Sequence, residues 1–242
     1  MQLYQGDCLE AMKQMPDKSV DMILCDLPYG TTACKWDVII PFDKLWEQYK
    51  RIIKLNGAIA LFGQEPFSSL LRTSNLAWYK YDISWEKERL TNITQVKKRV
   101  GKTVETISIF YDKQPTYNPQ MIKHEGKPVS NKVKDGCLGK LTDNQAKRVK
   151  EYVDTGWRYP TQVWRYQRDC LKSNLHPTQK PVALLENLIR TFTNEHDRVL
   201  DNCMGSGSTG VAAKNLNRDF IGIELDENYF EIAKSRILGN VE

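Results

Sequence analysis

The tetrapeptide Asp26-Leu27-Pro28-Tyr29 directly follows the apolar run at residues 20–25. An apolar run that ends in a turn is typical of a buried strand, so the tetrapeptide is expected at one edge of a sheet. The carboxylate of Asp26 and the carbonyl near Leu27 and Pro28 could accept hydrogens from an amine, and the ring of Tyr29 could stack on a flat base. These groups suit methyl transfer to an exocyclic base amine. A plain turn with Asp26 as its capping residue is the alternative.

A glycine-rich segment near the C-terminus forms the second candidate site. Gly205, Gly207 and Gly210 match the pattern G-x-G-x-x-G after a predicted strand at residues 198–201. Glu224 follows about 20 residues later, at the tip of the next predicted strand, as in a dinucleotide-binding unit. The pattern is equally compatible with an NAD-dependent dehydrogenase and with a tight turn that serves only strand-to-helix packing.

The position of this glycine segment bears on the topology of the fold. Few residues follow Glu224, so the remaining strands of a doubly wound sheet must come from earlier sequence. We therefore predict an α/β, Rossmann-like sheet that is circularly permuted, in which Gly6-Asp7-Cys8 ends the strand after the last helix. Asp7, Asp201 and Glu224 would then meet at the carboxyl ends of parallel strands, where such sheets bind ligands.

Hydrophobic spacing predicts the other elements of the two α/β parts. Helix-like spacing covers residues 42–55, and a glycine-bounded strand follows at 57–63. A second helix has its apolar face between Val182 and Phe192, with Pro181 in its first turn. After the glycine segment we expect a helix to about residue 215, a strand at 220–224 and a last helix capped by Asp226.

Charge is distributed unevenly along the chain. Residues 113–172 hold thirteen Lys and Arg against six Asp and Glu, although the whole chain has a net charge of only +5. We predict that 113–172 is an inserted target-recognition segment between catalytic parts at 1–112 and 173–242. Its aromatic residues could pack a small core or stack on bases. They are Tyr117, Trp157, Tyr159, Trp164 and Tyr166. The basic stretch Lys97-Lys98-Arg99 is either a phosphate-binding loop or a solvated one.

Several classes of protein are disfavoured by composition. The six cysteines are scattered without a C-x-x-C pair and the chain has three histidines, so we expect neither a metal site nor a disulfide framework. There is no apolar run of about 20 residues and no signal-peptide pattern, which predicts a cytoplasmic protein without a membrane partner.

Together these motifs resemble those of the permuted β-type DNA amino-methyltransferases, and the resemblance covers most of the chain. Asp26-Leu27-Pro28-Tyr29 resembles the family's D-P-P-Y motif, residues 176–181 resemble H-P-T-x-K-P, and 201–209 resemble D-P-F-x-G-S-G-T-T. Residues 222–225 and Gly6-Asp7-Cys8-Leu9 resemble its ribose-binding and adenine-binding segments. Leu27, Asn202-Cys203 and Ser208 depart from the family pattern.

The resemblance implies S-adenosylmethionine as the cofactor. Asp201 and the glycine loop would approach its methionine part, Thr178 and Lys180 its carboxylate, Glu224 the ribose and Asp7 the adenine amine. The implied catalytic residues are Asp26, Leu27, Pro28 and Tyr29. The implied cofactor-binding residues are Asp7, Cys8, Asp26, Thr178, Lys180, Asp201, Met204, Gly205, Ser206, Gly207, Glu224 and Leu225.

The resemblance also implies a substrate, which is adenine N6 in duplex DNA, reached by flipping the base. The acid at Asp26 favours adenine, whereas cytosine N4 is the first rival. Methylation of cytosine C5 is disfavoured because no cysteine follows a proline. An RNA methyltransferase, a protein-glutamine methyltransferase and a non-catalytic DNA-binding protein with the same fold are more distant rivals. A homodimer and a companion restriction enzyme are further family expectations.

Overall fold

The computed structural model describes residues 1–31, 37–124, 155–168 and 179–239. It divides into two compact units, one made of Met1–Asn118 with Gln162–Glu242 and the other of Pro119–Thr161. His176, Pro177 and Thr178, which belong to the predicted H-P-T-x-K-P segment, lie outside the described residues.

The described strands and helices alternate along much of the first unit. In chain order the strands are β1 (Gln2–Gln5), β2 (Val20–Cys25), β3 (Ile53–Gly63), β4 (Tyr79–Glu86), β5 (Val104–Phe110), β6 (Ile122–Lys123), β7 (Trp157–Arg158), β8 (Val163–Arg165), β9 (Arg198–Asp201) and β10 (Asp219–Glu224). The helices are α1 (Cys8–Lys13), α2 (Phe42–Ile52), α3 (Phe67–Ser74), α4 (Val182–Phe192), α5 (Ser208–Asn215) and α6 (Glu227–Leu238), and a short 3-10 helix spans Ile93–Gln95.

An eight-stranded sheet forms the centre of the first unit, in the order β1-β10-β9-β2-β3-β5-β4-β8. The five strands from β1 to β3 are parallel, β5 is antiparallel to both β3 and β4, and β8 is parallel to β4. The carboxyl ends of β1, β10, β9, β2, β3 and β4 therefore meet at one edge of the sheet. The amino end of β5 lies at the same edge, because β5 runs in the opposite direction.

Both faces of this sheet are covered by helices. On β2, Met22 and Leu24 point into a core cluster with residues of α4, α5 and α6, whereas Ile23 and Cys25 point into a cluster with residues of α1, α2 and α3. Successive side chains of a strand alternate between faces, so a strand buried on both sides must be apolar throughout. This constraint explains the continuous apolar runs of β2 and β3.

Most of the predicted elements are confirmed. β2 and β9 have the predicted bounds, and Asp226 caps α6 by accepting hydrogen bonds from the main-chain N–H groups of Asn228 and Tyr229. The helix predicted at 42–55 ends at Ile52, because the chain passes directly into β3 at Ile53. Pro181 lies at the capping position just before α4 and not in its first turn.

The antiparallel part of the sheet was not predicted from the sequence. β8 lies within residues 113–172, yet it pairs with β4 in the main sheet. The buried ring of Trp164 on β8 packs in the core, and Tyr166 packs against the same cluster. The predicted domain bounds and the permutation stay predictions, although β1 does extend the sheet beyond β10.

In the second unit the described residues include one small antiparallel ladder, formed by β6 and β7. Trp157 and Tyr159 are exposed there. Over the described residues as a whole, no helix is long and apolar enough to span a membrane.

The glycine loop contains a position where space and backbone both require glycine. Gly207 precedes α5 with φ +80°, and a Cβ there would lie 2.9 Å from Cβ of Ala233 on α6. Gly239 has nearly the same φ, +81°, but a Cβ there would meet only Nζ of Lys214, at 3.5 Å.

We predict that Gly207→Ala lowers the free energy of unfolding more than Gly239→Ala does. Gly239→Ala adds only the backbone strain of a left-handed residue, about 1 kcal/mol, whereas Gly207→Ala must also displace α6. Urea unfolding of both variants measures the difference. Equal losses would show that the contact with α6 does not require glycine.

Candidate active site

The predicted site residues meet around one cavity at the edge of the sheet where the parallel strands end. Its volume is about 720 Å³. Each parallel strand contributes the residues that follow its last buried position, which is why residues far apart in sequence are neighbours here. The acidic and basic residues among those that line the cavity include Asp7, Asp26, Lys87, Glu105, Lys180, Asp201 and Glu224.

Glu224 ties the glycine loop to the end of β10. Its carboxylate accepts hydrogen bonds from N of Gly205 at 2.8 Å and from N of Asp226 at 2.9 Å, one on each oxygen. Burial raises the pKa of this carboxyl group. The carbonyl of Glu224 also accepts a bond from N of Gly6 at 2.9 Å, so the turn after β1 is fixed beside it.

Asp7 follows that turn and caps α1. The main-chain N–H groups of Leu9 and Glu10 both donate to the same oxygen, Oδ1, at 2.8 and 3.0 Å. Within the described structure these two bonds leave Oδ2 with its acceptor capacity, and Asp7 lines the cavity.

Asp201 is a deeply buried acid at the end of β9, with an exposed fraction of 3%. Oγ1 of Thr209 donates to it at 2.6 Å and N of Cys203 donates at 3.1 Å. Burial raises the pKa of Asp201 to about 6, although these two bonds oppose the shift. This carboxyl group therefore gains a proton only slightly below neutral pH.

The remaining predicted cofactor-binding residues differ in their placement. Met204, Gly205 and Ser206 line the cavity beside Asp201, and Cys8 and Leu225 line it near Asp7 and Glu224. Gly207 is not among the lining residues, and its missing side chain instead allows α6 to approach. Gly205 therefore contributes to the cavity wall, whereas Gly207 allows close packing against α6.

Asp26 and Tyr29 form the other end of the cavity. The hydroxyl of Tyr29 donates to Oδ1 of Asp26 at 2.6 Å, and its ring stacks on Phe67 with a centroid distance of 4.8 Å. Nζ of Lys180 donates to Oδ2 of Asp26. Burial raises the pKa of Asp26, and the ammonium group of Lys180 opposes that rise. Leu27 is buried beneath them.

The two residues after the tetrapeptide are bound by an acid that was not predicted from the sequence. Asp37 accepts hydrogen bonds from N of Gly30 at 2.8 Å and from N of Thr31 at 2.9 Å. Two charge-assisted bonds to adjacent main-chain donors hold the backbone after Tyr29 in one conformation.

Glu105 on β5 is the most important residue that sequence reasoning missed. It is 3% exposed and accepts hydrogen bonds from Nζ of Lys87 at 2.6 Å and from the hydroxyl of Tyr29 at 3.1 Å. Nζ of Lys180 lies 3.0 Å away. Burial alone would raise the pKa of Glu105, but the two lysines lower it to about 2. The available signal was that Glu105 is the one charged residue within β5.

These contacts create a chain of alternating charges, Lys87–Glu105–Lys180–Asp26, which we call the charge chain. Asp26 and Glu105 in turn raise the pKa of Lys180, against the opposing effect of burial. The two cations and two anions alternate, so each charge lies next to a partner of opposite sign. The chain fixes Asp26 through Lys180 and Tyr29 through Glu105.

We predict that Glu105→Gln lowers the free energy of unfolding by about 3 kcal/mol, because it leaves two buried ammonium groups with one carboxylate. The matched control is Glu86→Gln on the adjacent strand, where the pair with Arg165 is exposed and removal should cost less than about 1 kcal/mol. Urea unfolding at pH 7 compares the two variants.

The difference in the free energy of unfolding between wild type and Glu105→Gln should also depend on pH. Since the folded-state pKa of Glu105, about 2, lies below its ordinary value of 4.5, its stabilisation is full above pH 4.5 and decreases as the pH falls towards 2. The difference between wild type and Glu105→Gln should shrink over that range. A difference independent of pH would contradict the ion-pair explanation.

A family comparison agrees with this geometry. The model N6_N4_Mtase, described as DNA methylase, matches residues 20–235. The chain belongs to this family of DNA methylases. The matched range includes Asp26, Glu105, Lys180, Asp201 and Glu224, whereas Asp7 precedes it.

Individual relatives match over nearly the full chain. DNA adenine methyltransferase YhdJ of Escherichia coli K12 is 30% identical, with 97% of this chain and 82% of that protein covered. The crystal structure of the M1.HpyAVI-SAM complex is 27% identical with a TM-score of 0.65 and 99% of each chain covered. The cytosine-N4-specific PvuII DNA methyltransferase has the same fold, with a TM-score of 0.69 at 17% identity, and 99% of this chain and 87% of that one covered.

The cavity of this DNA amino-methyltransferase is thus lined by all the predicted site residues that the structure describes, with the exception of Gly207. Among the described residues no cluster of three His, Cys, Asp or Glu side chains could hold a metal ion. The roles of individual residues in cofactor binding and catalysis stay predictions at this point.

Proposed function

We propose that this DNA methylase transfers a methyl group from S-adenosylmethionine to N6 of adenine in duplex DNA. The observation that supports this most strongly is the shared cavity. Along the strand order β1-β10-β9-β2, Asp26 with Tyr29 lies at one end of the lining and Asp7 with Glu224 at the other, and Asp201 lies between Glu224 and Asp26. A base amine and a methyl donor bound at these two ends would be adjacent.

The donors and acceptors at the second end fit the cofactor. A volume of about 720 Å³ is in the range of small-molecule sites. Each carboxylate oxygen of Glu224 retains acceptor capacity for a ribose hydroxyl, and Oδ2 of Asp7 could accept from the adenine amine. Asp201 suits the ammonium group of the methionine part. When bound, the cofactor supplies an electrophilic methyl group on a sulfonium.

Lys180 is already committed to two carboxylates, Asp26 and Glu105. A role beside the cofactor carboxylate, implied by the family resemblance, would therefore be shared with these partners. We propose that its main task is to orient Asp26. This lysine also lies over the ring of Phe62, at 5.0 Å, which restricts its position further.

Catalysis requires groups that make an exocyclic amine more nucleophilic. The carboxylate of Asp26 and the carbonyl of Leu27 would accept the two amine hydrogens, which draws the nitrogen lone pair out of the ring. As the new N–C bond forms, the bond between the methyl carbon and sulfur breaks and leaves a neutral thioether, and the nitrogen loses one proton. Asp26 is the acceptor at hand, and its raised pKa favours that transfer.

The choice of adenine is supported by the acid at Asp26 and by the 30% identical relative from Escherichia coli, which is named an adenine methyltransferase. An N4-cytosine activity would use the same geometry and is the second outcome to test. The homodimer and the companion restriction enzyme stay predictions.

The decisive experiment incubates genomic DNA with the protein and methyl-labelled S-adenosylmethionine, then identifies labelled nucleosides by mass spectrometry. We expect labelled N6-methyl-2′-deoxyadenosine from wild type and a loss of at least about a hundredfold for Asp26→Ala, since the amine loses its carboxylate acceptor. Asp21→Asn, on the same strand but outside the cavity lining, is the matched control and should stay active. Labelled N4-methylcytosine would overturn the choice of base, and unlabelled DNA would overturn the proposal.

Cofactor affinity should depend on pH through Asp201. Its folded-state pKa, raised to about 6, means that the anion is present above pH 6 and is lost as the pH falls. We expect the Kd for S-adenosylmethionine to rise about tenfold between pH 7 and pH 5, because the protonated acid no longer attracts the ammonium group. Asp201→Asn should bind weakly at pH 7 and lose most of this dependence. Calorimetric titration measures both, and an unchanged pH dependence in the variant would contradict the assignment.

A further inference from the structure

Residues 87–103 connect β4 to β5 and form a hydrogen-bonded hairpin, which we call the basic hairpin. N of Lys87 donates to the carbonyl of Thr103 at 2.8 Å, and N of Thr91 donates to that of Lys102 at 2.9 Å. The side chain of Asn92 accepts from N of Lys102 at 2.7 Å and donates to the carbonyl of Val100 at 3.2 Å. These cross-links fix the course of the backbone towards its tip.

The tip exposes three apolar side chains, Ile93, Val96 and Val100, which we call the hairpin patch. Their exposed fractions are 67%, 42% and 91%. Among the large apolar side chains that the structure describes, Val100 is the most exposed. Apolar side chains grouped at the tip of a hydrogen-bonded hairpin are typical of a binding surface.

Charge on the hairpin indicates what this surface binds. Residues 87–103 contain six Lys and Arg and one acid. Lys97, Lys98 and Arg99 immediately precede Val100, are exposed, and form no ion pair with another residue that the structure describes. A row of three unpaired cations beside apolar side chains suits a polyanion that also has an apolar interior, which is the composition of duplex DNA.

The hairpin begins at the rim of the active-site cavity. Lys87 and Thr91 line that cavity together with Asp26 and Tyr29. Nζ of Lys102, at the other end of the hairpin, donates to the side chain of Gln64, another lining residue, at 2.6 Å. Any duplex whose base enters the cavity would therefore pass close to the hairpin.

We propose that the hairpin patch is a wedge that enters the base stack next to the target nucleotide. Val100 fills the gap that the flipped base leaves, and Lys97, Lys98 and Arg99 bind the phosphates on either side. Extruding a base costs its stacking and pairing with the neighbouring bases, and an inserted apolar side chain replaces part of the lost contact. This inference rests on the proposed function and adds the residues that open the duplex.

The test uses the full-length protein, genomic duplex DNA and methyl-labelled S-adenosylmethionine. We expect Val100→Ser to lower kcat/KM for DNA about tenfold and Val100→Ile, which keeps an apolar side chain, to retain the wild-type value. The slope of log Kd against log salt concentration should stay unchanged in Val100→Ser. In Lys97→Gln/Lys98→Gln the slope should decrease by about 2, because two phosphate contacts are lost.

Leu76→Ser is the matched control, because Leu76 is 64% exposed and precedes the amino end of β4, at the sheet edge opposite the cavity. Equal kcat/KM values for Val100→Ser and Leu76→Ser would overturn the wedge. A decrease in the salt slope of Val100→Ser would overturn it as well, since Val100 would then act through charge placement. Failure of the wild type to methylate DNA would instead overturn the proposed function, so the two failures can be told apart.

Discussion

The buried ion pair between Lys180 and Glu105, with 3.0 Å between Nζ and Oε1, is the interaction on which the arrangement of Asp26 and Tyr29 depends. Each partner holds one member of the tetrapeptide, since Lys180 binds Asp26 and Glu105 binds Tyr29. Without a compensating charge, either group would favour its neutral form at this depth. The pair therefore orients Asp26 through Lys180, and it places Glu105 beside the hydroxyl of Tyr29.

This pair exists because the sheet changes direction after β3. In a sheet of parallel strands only, the residues that open a strand lie far from the ligand-binding edge. β5 runs antiparallel to β3 and β4, so its second residue, Glu105, lies at the edge where those strands end. Lys87 follows β4 and comes to the same edge. The antiparallel strand thus brings an acid to a place that parallel topology alone would not supply.

The same topology explains how far sequence reasoning could go. The carboxyl ends of three parallel strands are marked by Asp7, Asp201 and Glu224. Each is close to a glycine or a helix-capping residue, and these local signals are visible in the sequence. Glu105 and Asp37 act through long-range or loop contacts that no local pattern encodes. β5 was not recognised as a strand from the sequence. The edge of the sheet at which its single acid lies could therefore not be predicted. Placing Glu105 requires knowing that β5 is antiparallel, which depends on pairing across the whole sheet.

Two of the departures from the family motif, Asn202 and Cys203, are adjacent, and both contact side chains from distant elements. Asn202 replaces a proline and is 1% exposed, and its side-chain oxygen accepts a hydrogen bond from the buried hydroxyl of Tyr49 at 2.5 Å. A proline could not accept that bond, so Tyr49 on α2 would be left with a buried, unpaired hydroxyl. Cys203 replaces a phenylalanine, and its thiol interacts with those of Cys8 and Cys25.

The contact with Cys203 and burial raise the pKa of Cys8, and the contact with Cys25 and burial raise that of Cys203. Burial raises the pKa of Cys25 against the opposing bond with Cys203, so all three groups remain neutral thiols. Cys8, Cys25 and Cys203 come from α1, β2 and the turn after β9, and their side chains pack in the same core cluster. The polar bond of Asn202 and the thiol cluster therefore fix the turn after Asp201 from two sides. Because both contacts involve a side chain from a distant element, a change at Asn202 or Cys203 alone would not restore the family arrangement.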